Sequence, residues 1–233
     1  MGESFPHEIT QVNPALLAAT ARFLAPSSDD FAPADLPEEA GGLLRDGVLR
    51  RLEGSRAGKV LVRAYLLRQS GLADPAPFTD FRDERRRLAL LDRETTARLA
   101  LLFGACLYAP EAARCIRREE VRALRASLGD SYEYILSRGR FQVRQARDLF
   151  TSFRRDLALH ARMNAAGCAA LRLCMADWPL PLRQRAAPRL PAELRGPCDA
   201  DPRCDRENLA VLWQAVKKLL LKEVAPQWQP CFA

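Results

Sequence analysis

The fold is most constrained by Thr95–Arg125, where the most apolar part of the chain turns abruptly into one of the most basic. Asp92 is positioned to cap a helix that begins near Arg93, and apolar side chains follow at helical spacing. Pro110 cannot continue that helix, but it fits the first turn of another. The pattern therefore predicts a central, buried helix in the first half of this stretch.

The second half, from Pro110 to Arg125, predicts a charged helix that lies on the surface. Its apolar residues Ile116, Val121 and Leu124 are expected to face inward. Its arginines are expected to face solvent; they are Arg114, Arg117, Arg118, Arg122 and Arg125.

The composition favours an all-α protein, because Leu, Ala, Arg and Glu dominate and alternating strand patterns are scarce. We predict a single compact helical domain of about eight to ten helices, preceded by an acidic segment. The domain boundary is predicted after residue 40, with an N-terminal helix and acidic segment over 1–40 and the helical domain over 41–233. Apolar spacing and cap residues predict these helices: Asn13–Leu24, Gly42–Glu53, Lys59–Ser70, Phe81–Leu91, Ser131–Ser137, Phe141–Met175 and Glu207–Val224.

Several of these predictions depend on single residues. Asp80 is expected to cap the helix over 81–91, and Gly71 is expected to end its predecessor in the left-handed conformation. The helix over 141–175 is the longest, with a weak point at Gly167 and His160 on its inner face. The tail after Val224 is expected to pack back onto the body.

Charge is distributed unevenly along the chain. Residues 1–40 carry seven acidic side chains and one basic side chain, a net −6, whereas the whole chain carries +7, so the remainder carries +13. The acidic, proline-rich residues 25–40 are predicted to form a linker or surface loop outside the core, onto which Phe31 and Leu36 can dock. The basic remainder predicts an anionic partner.

No segment is long and apolar enough to predict a transmembrane helix. The longest apolar run, Leu99–Ala109, is about half the length that spans a bilayer. Glu3 and Glu8 are atypical of a secretory signal, and seven irregularly spaced cysteines are typical of reduced thiols. We therefore expect a cytosolic protein.

Catalytic chemistry finds little support in the sequence. His7 lies near a terminus, and His160 is best interpreted as a packed core histidine. No nucleophile motif or phosphate-binding loop accompanies them. The Cys198–Cys204 loop has wider spacing than zinc pairs favour, so a metal or a reversible disulfide is a minor alternative there. The sequence predicts a non-enzyme without cofactor or metal.

A second basic band precedes and follows Phe141. Three interpretations stay open for it: a solvated face with pairs such as Arg144–Asp148, a surface for an acidic protein or lipid headgroups, and a nucleic-acid surface. No named nucleic-acid-binding motif is present. The band comprises Arg138, Arg140, Arg144, Arg147, Arg154 and Arg155.

Three parts of the chain are similar, in order and character, to one protein family. The first reads LALLFGACLYAPEAARCI followed by VRALRASLGDSYEYIL, the second ALRLCMADWPLPLRQRAAPRLP, and the third VKKLLLKEVAPQWQPCF. Together they resemble the SctK family (YscK/PscK/OrgA/MxiK type), accessory proteins of the bacterial type III secretion injectisome.

The resemblance implies a helical, non-enzymatic adaptor of the cytosolic sorting platform at the inner membrane of a Gram-negative bacterium. Such an adaptor links the SctQ pod to the cytoplasmic domain of the ring protein SctD, with SctL and the ATPase SctN further along. No small-molecule substrate or nucleic acid is expected, and a peripheral contact with the membrane surface is left open. The alternative is a basic helical nucleic-acid-binding or regulatory protein. The predicted partner-binding residues are Arg114, Arg117, Arg118, Arg122, Arg144, Arg147, Lys217, Lys218 and Trp228.

Overall fold

Helices supply the regular secondary structure throughout the computed structural model, which describes residues 13–71, 77–196, 202 and 204–232. No strand occurs among these residues, so the all-α prediction is confirmed. The α-helices are α1 (Pro14–Leu24), α2 (Glu38–Arg45), α3 (Val48–Leu52), α4 (Arg56–Gln69), α5 (Arg93–Leu107), α6 (Ala109–Ala112), α7 (Arg118–Leu128), α8 (Ser131–Tyr134), α9 (Arg140–Gln142), α10 (Leu159–Met175), α11 (Leu180–Ala186) and α12 (Arg206–Leu219). Short 3₁₀-helices cover Ser28–Asp30, Pro33–Asp35, Glu84–Leu90, Arg144–Phe150, Ala187–Arg189, Ala192–Leu194 and Pro226–Phe232, and π-helical turns cover Ile135–Gly139 and Leu220–Val224.

These helices form two compact units. The first unit comprises the described residues of Met1–Arg93, Trp178–Leu190 and Pro230–Ala233. The second unit comprises the described residues of Glu94–Asp177 and Pro191–Gln229. The predicted boundary after residue 40 stays a prediction.

Helix α1 begins and ends where its sequence signals predicted. The Asn13 side chain accepts a hydrogen bond from the Leu16 N–H at 3.0 Å, and Pro14 occupies the first turn. The same side chain donates to the Pro230 carbonyl at 2.7 Å. One asparagine therefore caps the helix and holds the end of the chain to the first unit.

The acidic segment is folded into the first unit, rather than lying outside its core as predicted. Phe31 and Leu36 are buried in a cluster with residues of α2, α3 and α4, which confirms that these two side chains dock. Arg189 pairs with Asp30 at 2.8 Å, and Arg93 pairs with Asp35 at 2.8 Å. The carboxylates of this segment therefore neutralise the charge of basic side chains from later parts of the chain.

Two predicted helices of the first unit differ in the structure. The predicted helix over 42–53 is divided into α2 and α3, because Gly47 adopts the left-handed conformation, with φ +69°, between them. Gly71, also at φ +69°, follows α4 as predicted. The change of direction at Gly47 is one that glycine makes at little cost.

The predicted basic helix over 81–91 is a 3₁₀-helix that begins only at Glu84 and is capped by Asp83. Asp80 does not cap it. Its carboxylate pairs instead with Arg82 at 2.9 Å and Arg86 at 2.5 Å. The hydrogen bond from Arg82 is the main cause that holds the pKa of Asp80 at about 2. Asp80 therefore forms ion pairs with arginines instead of capping the helix.

Helices α5 and α10 cross in backbone contact in the second unit. A Cβ atom on Gly104 would lie 1.8 Å from the Met163 carbonyl oxygen, and one on Gly167 would lie 1.7 Å from that of Ala100. The pairing of 104 with 163 and of 100 with 167 makes the crossing antiparallel. Gly167 is therefore a contact point within a continuous helix, and the predicted weak point there is wrong.

The predicted helix over 141–175 is interrupted, and only its second half forms the regular helix α10. The Tyr108 hydroxyl donates to the carbonyls of Phe150 at 3.1 Å and Phe153 at 3.4 Å, acceptors that a continuous helix would use internally. Arg154 then adopts φ +45°. His160 is exposed near the start of α10, so its prediction as a packed core residue is wrong.

The C-terminal helix agrees closely with its prediction. Asp205 caps α12 by accepting from the Asn208 N–H at 2.8 Å, and the helix continues into a π-helical turn that ends at Val224. The tail packs back as predicted, with Trp228 and Phe232 buried. None of the described helices is long and apolar enough to cross a membrane.

Candidate protein-docking surface

A set of contacts around Tyr108 fixes the start of the predicted docking segment. Arg162 of α10 forms an ion pair with Glu111 of α6, and its guanidinium lies 4.7 Å from the centroid of the Tyr108 ring. Burial is the main cause that raises the pKa of the Tyr108 hydroxyl, which stays protonated as a donor. Helix α6 is thus held against α10 by an ion pair and a guanidinium–ring contact, while the Tyr108 hydroxyl bonds to carbonyls that precede α10.

Ile116 is the most exposed large apolar residue among the described residues, with 92% of its surface accessible. It was predicted to face inward, and that prediction is wrong. Helix α6 ends at Ala112 and α7 begins only at Arg118, so Ile116 lies in the irregular connection between them rather than on a helix face. The sequence did carry a signal against an inward-facing Ile116. The residues three and four positions after it, Glu119 and Glu120, are charged, so Ile116 does not begin an apolar helix stripe with them.

Four arginines flank Ile116 along the chain and are all exposed, as predicted. Arg117 lies 4.0 Å from Glu120, whereas the other three make no side-chain hydrogen bond or ion pair with any residue that the structure describes. Arg118 and Arg122 are one turn apart on α7 and so lie on the same side. We call Ile116 and these arginines the basic face: Arg114, Ile116, Arg117, Arg118 and Arg122.

Helix α7 contributes little to the core. It buries Leu124, as predicted, and Leu128, while Val121 is only half-buried. In its last turn Arg125 pairs with Glu133 at 3.3 Å and lies 5.1 Å from the Tyr132 ring centroid. Most of the helix therefore faces solvent and can present its side chains without unfolding.

Arg144 and Arg147 belong to a separate basic group. Both are exposed on the 3₁₀-helix Arg144–Phe150, where residues three apart lie above one another. The preceding Phe141 is 61% exposed, and the Arg140 guanidinium lies 4.6 Å from its ring centroid. The predicted i,i+4 pairing of Arg144 assumed an α-helix, and the 3₁₀ geometry does not align these positions.

The predicted residues at the C-terminus differ in exposure. Lys218 is exposed in the last turn of α12, and Lys217 is half-buried. Trp228 is buried, because the 3₁₀-helix Pro226–Phe232 folds its indole inward. The structure thus gives Trp228 little exposed surface, and its role in partner binding stays a prediction.

The described thiols are mostly enclosed. Cys106, Cys168, Cys174 and Cys231 are buried, and burial raises the pKa of Cys106 to about 12. Within the described part of the chain no three His, Cys, Asp or Glu side chains lie close enough to hold a metal ion. Cys198 and most of its loop to Cys204 lie outside the described residues.

Fold and surface define an all-helical protein that exposes basic side chains around an apolar residue. A family model described as "YOP proteins translocation protein K (YscK)" matches residues 33–232. The chain belongs to this family and is a type III secretion protein, which confirms the resemblance drawn from its sequence. No curated protein and no solved structure matches the chain.

Proposed function

We propose that this protein is a non-enzymatic adaptor of the type III secretion injectisome. It links the cytosolic pod protein SctQ to the cytoplasmic domain of the inner-membrane ring protein SctD. It works in the cytoplasm, peripheral to the inner membrane of a Gram-negative bacterium. SctL and SctN join the same assembly indirectly.

The observation that carries the proposal is an almost fully exposed isoleucine within a run of exposed arginines. Exposing Ile116 to water is unfavourable by about 1.5–3 kcal/mol relative to burial, and a partner's surface can recover that free energy. The surrounding arginines suit an acidic partner and can form paired hydrogen bonds with its carboxylates. The basic face thus offers an exposed apolar side chain next to charged ones in the chain, a combination that protein interfaces use.

We assign the basic face to the ring protein. Replacing Arg114, Arg117 and Arg118 together by glutamate should weaken binding to the purified SctD cytoplasmic domain by at least roughly tenfold. Binding to purified SctQ should stay unchanged. Biolayer interferometry with each partner immobilised separately measures both affinities.

The matched control replaces the same three arginines by lysine, which keeps the charge but removes the guanidinium fork. We expect it to lose less affinity for SctD than the glutamate variant. Circular dichroism should show the same helix content for both variants, because all three side chains are exposed. Normal binding of both partners by the glutamate variant would contradict the assignment of this face.

A further inference from the structure

Helix α4 of the first unit has two apolar faces, although only one is used in the core. Gly58, Val62 and Leu66 are buried on the inner face. The outer face carries Val60 and Leu61, which are 65% and 70% exposed. A helix that only covers a core would have polar residues at these outer positions.

The outer apolar residues form one continuous stripe. Ala57, Val60, Leu61 and Ala64 are all exposed, and their spacing of three, one and three residues places them on the same side of the helix. Leu52, at the end of α3, is 54% exposed just before α4 begins. We call Ala57, Val60, Leu61 and Ala64 the α4 stripe.

The charge of α4 is of one sign. The helix contains four basic residues and no acidic residue. Arg56, Lys59 and Arg63 recur at spacings of three and four residues and so lie along one side of the α4 stripe. Arg63 donates to the Leu24 carbonyl at 2.7 Å, whereas Arg56, Lys59 and Arg68 make no side-chain hydrogen bond or ion pair with any described residue.

From this arrangement we infer that the α4 stripe binds an amphipathic helix of a protein partner, with acidic residues along the edge that faces Arg56, Lys59 and Arg63. Ala57 and Ala64 are two helical turns apart, so their small side chains let a second helix approach closely. Val60 and Leu61 between them act as the apolar anchors. The basic side selects an acidic edge and fixes the direction in which the partner helix lies.

A bilayer surface fits this face less well. Helices that lie on membranes insert bulky Trp, Phe and Leu side chains, whereas the α4 stripe offers only one leucine and one valine between two alanines. A narrow apolar seam with charges on its edge is the pattern of helix pairing. The inference rests on the proposed function in one respect, which is that the partner helix belongs to the pod protein SctQ.

The test uses the full-length chain with purified SctQ and purified SctD cytoplasmic domain. Leu61→Asp with Val60→Asp should weaken SctQ binding at least roughly tenfold, because two charges would be buried at the seam, and should leave SctD binding unchanged. Arg56→Glu with Lys59→Glu should likewise weaken SctQ binding and leave SctD binding unchanged. Leu180→Asp, which changes a leucine of the first unit that is 61% exposed, is the matched control and should bind both partners normally.

A photo-crosslinking amino acid in place of Leu61 identifies the occupant directly. The expected product joins this position to an acidic amphipathic segment of SctQ, and the same probe at position 180 should give no such product. Unchanged SctQ binding by both double variants overturns the inference and leaves the adaptor proposal standing. The inference is also overturned if the double variants keep SctQ binding but lose binding to vesicles with 30% anionic phospholipid (on the order of a plasma-membrane surface charge). It is overturned equally if they keep SctQ binding but lose a homodimer that the unaltered chain forms in solution. Failure of the unaltered chain to bind SctQ overturns the adaptor proposal itself.

Discussion

Arg189 connects parts of the first unit that are far apart in the sequence. Only 7% of its side chain is exposed, and its guanidinium donates to the Asp30 carboxylate and to the Arg22 carbonyl, both at 2.8 Å. It also lies 5.3 Å from the centroid of the Phe23 ring. The half-buried Asp30 of the N-terminal segment therefore neutralises the buried guanidinium of Arg189.

Breaking this pair should cost much more stability than breaking an exposed pair beside it. Arg189→Ala leaves the Asp30 carboxylate without its cation, so the free energy of unfolding should fall by about 3–5 kcal/mol. Arg50→Ala removes the neighbouring pair with Asp29, in which both side chains are more than half exposed, and should cost less than about 1 kcal/mol. Urea denaturation of both variants measures the difference, and equal losses would contradict this role of Arg189.

The docking residues show how far single positions could be predicted. Exposure of Arg114, Arg117, Arg118 and Arg122 follows from their charge, since unpaired arginine is rarely buried. Ile116 was assigned to the core because hydropathy ranks it with core residues, and only the connection between α6 and α7 exposes it. This connection follows α6, which forms an ion pair with Arg162, a residue from a distant part of the chain.

At the scale of elements, glycines let two helix backbones of the second unit approach closely where α5 and α10 cross. Gly104 and Gly167 each face a carbonyl of the other helix, at distances where no side-chain atom fits. A carbonyl of a regular helix cannot move without breaking its own hydrogen bond. The crossing is therefore set by two glycines, and it fixes how α5 and α10 pack against each other.

Alanine at either glycine should destabilise the protein. We expect Gly104→Ala and Gly167→Ala each to lower the free energy of unfolding by about 1–3 kcal/mol or more, because the added methyl group forces the helices apart. Gly42→Ala is the matched control, since no atom lies within 4 Å of its added Cβ and it lies inside α2. It should raise stability by up to about 1 kcal/mol. Thermal unfolding measures all three, and a neutral Gly104→Ala would contradict the close crossing.

Elements could be predicted where local signals decide them and not where distant contacts do. The start of α1 at Asn13-Pro14 and the capping of α12 need only residues within one helical turn. The interruption of the predicted helix over 141–175 lies where the hydroxyl of Tyr108, a residue distant in sequence, donates to two of its carbonyls, and such a contact leaves no local sequence signal. Folding of the acidic segment was also missed, since the bases that pair with it, Arg93 and Arg189, lie far away in sequence.

At the scale of the whole molecule, the chain offers two exposed surfaces of related chemistry on different units. The basic face of the second unit surrounds Ile116 with arginines, and the α4 stripe of the first unit lies beside Arg56 and Lys59. Each has an apolar centre and unpaired positive charge, and each suits an acidic partner. The proposed adaptor needs two separate binding surfaces, and we propose these two.

The most direct test of the central claim is whether the chain bridges its two proposed partners. The purified SctD cytoplasmic domain is immobilised, the full-length chain is added, and purified SctQ follows in a biolayer interferometry experiment. We predict that SctQ is retained only when the chain is present, and that the glutamate variant of Arg114, Arg117 and Arg118 abolishes this retention. Retention of SctQ without the chain, or no retention with it, would contradict the proposed bridging.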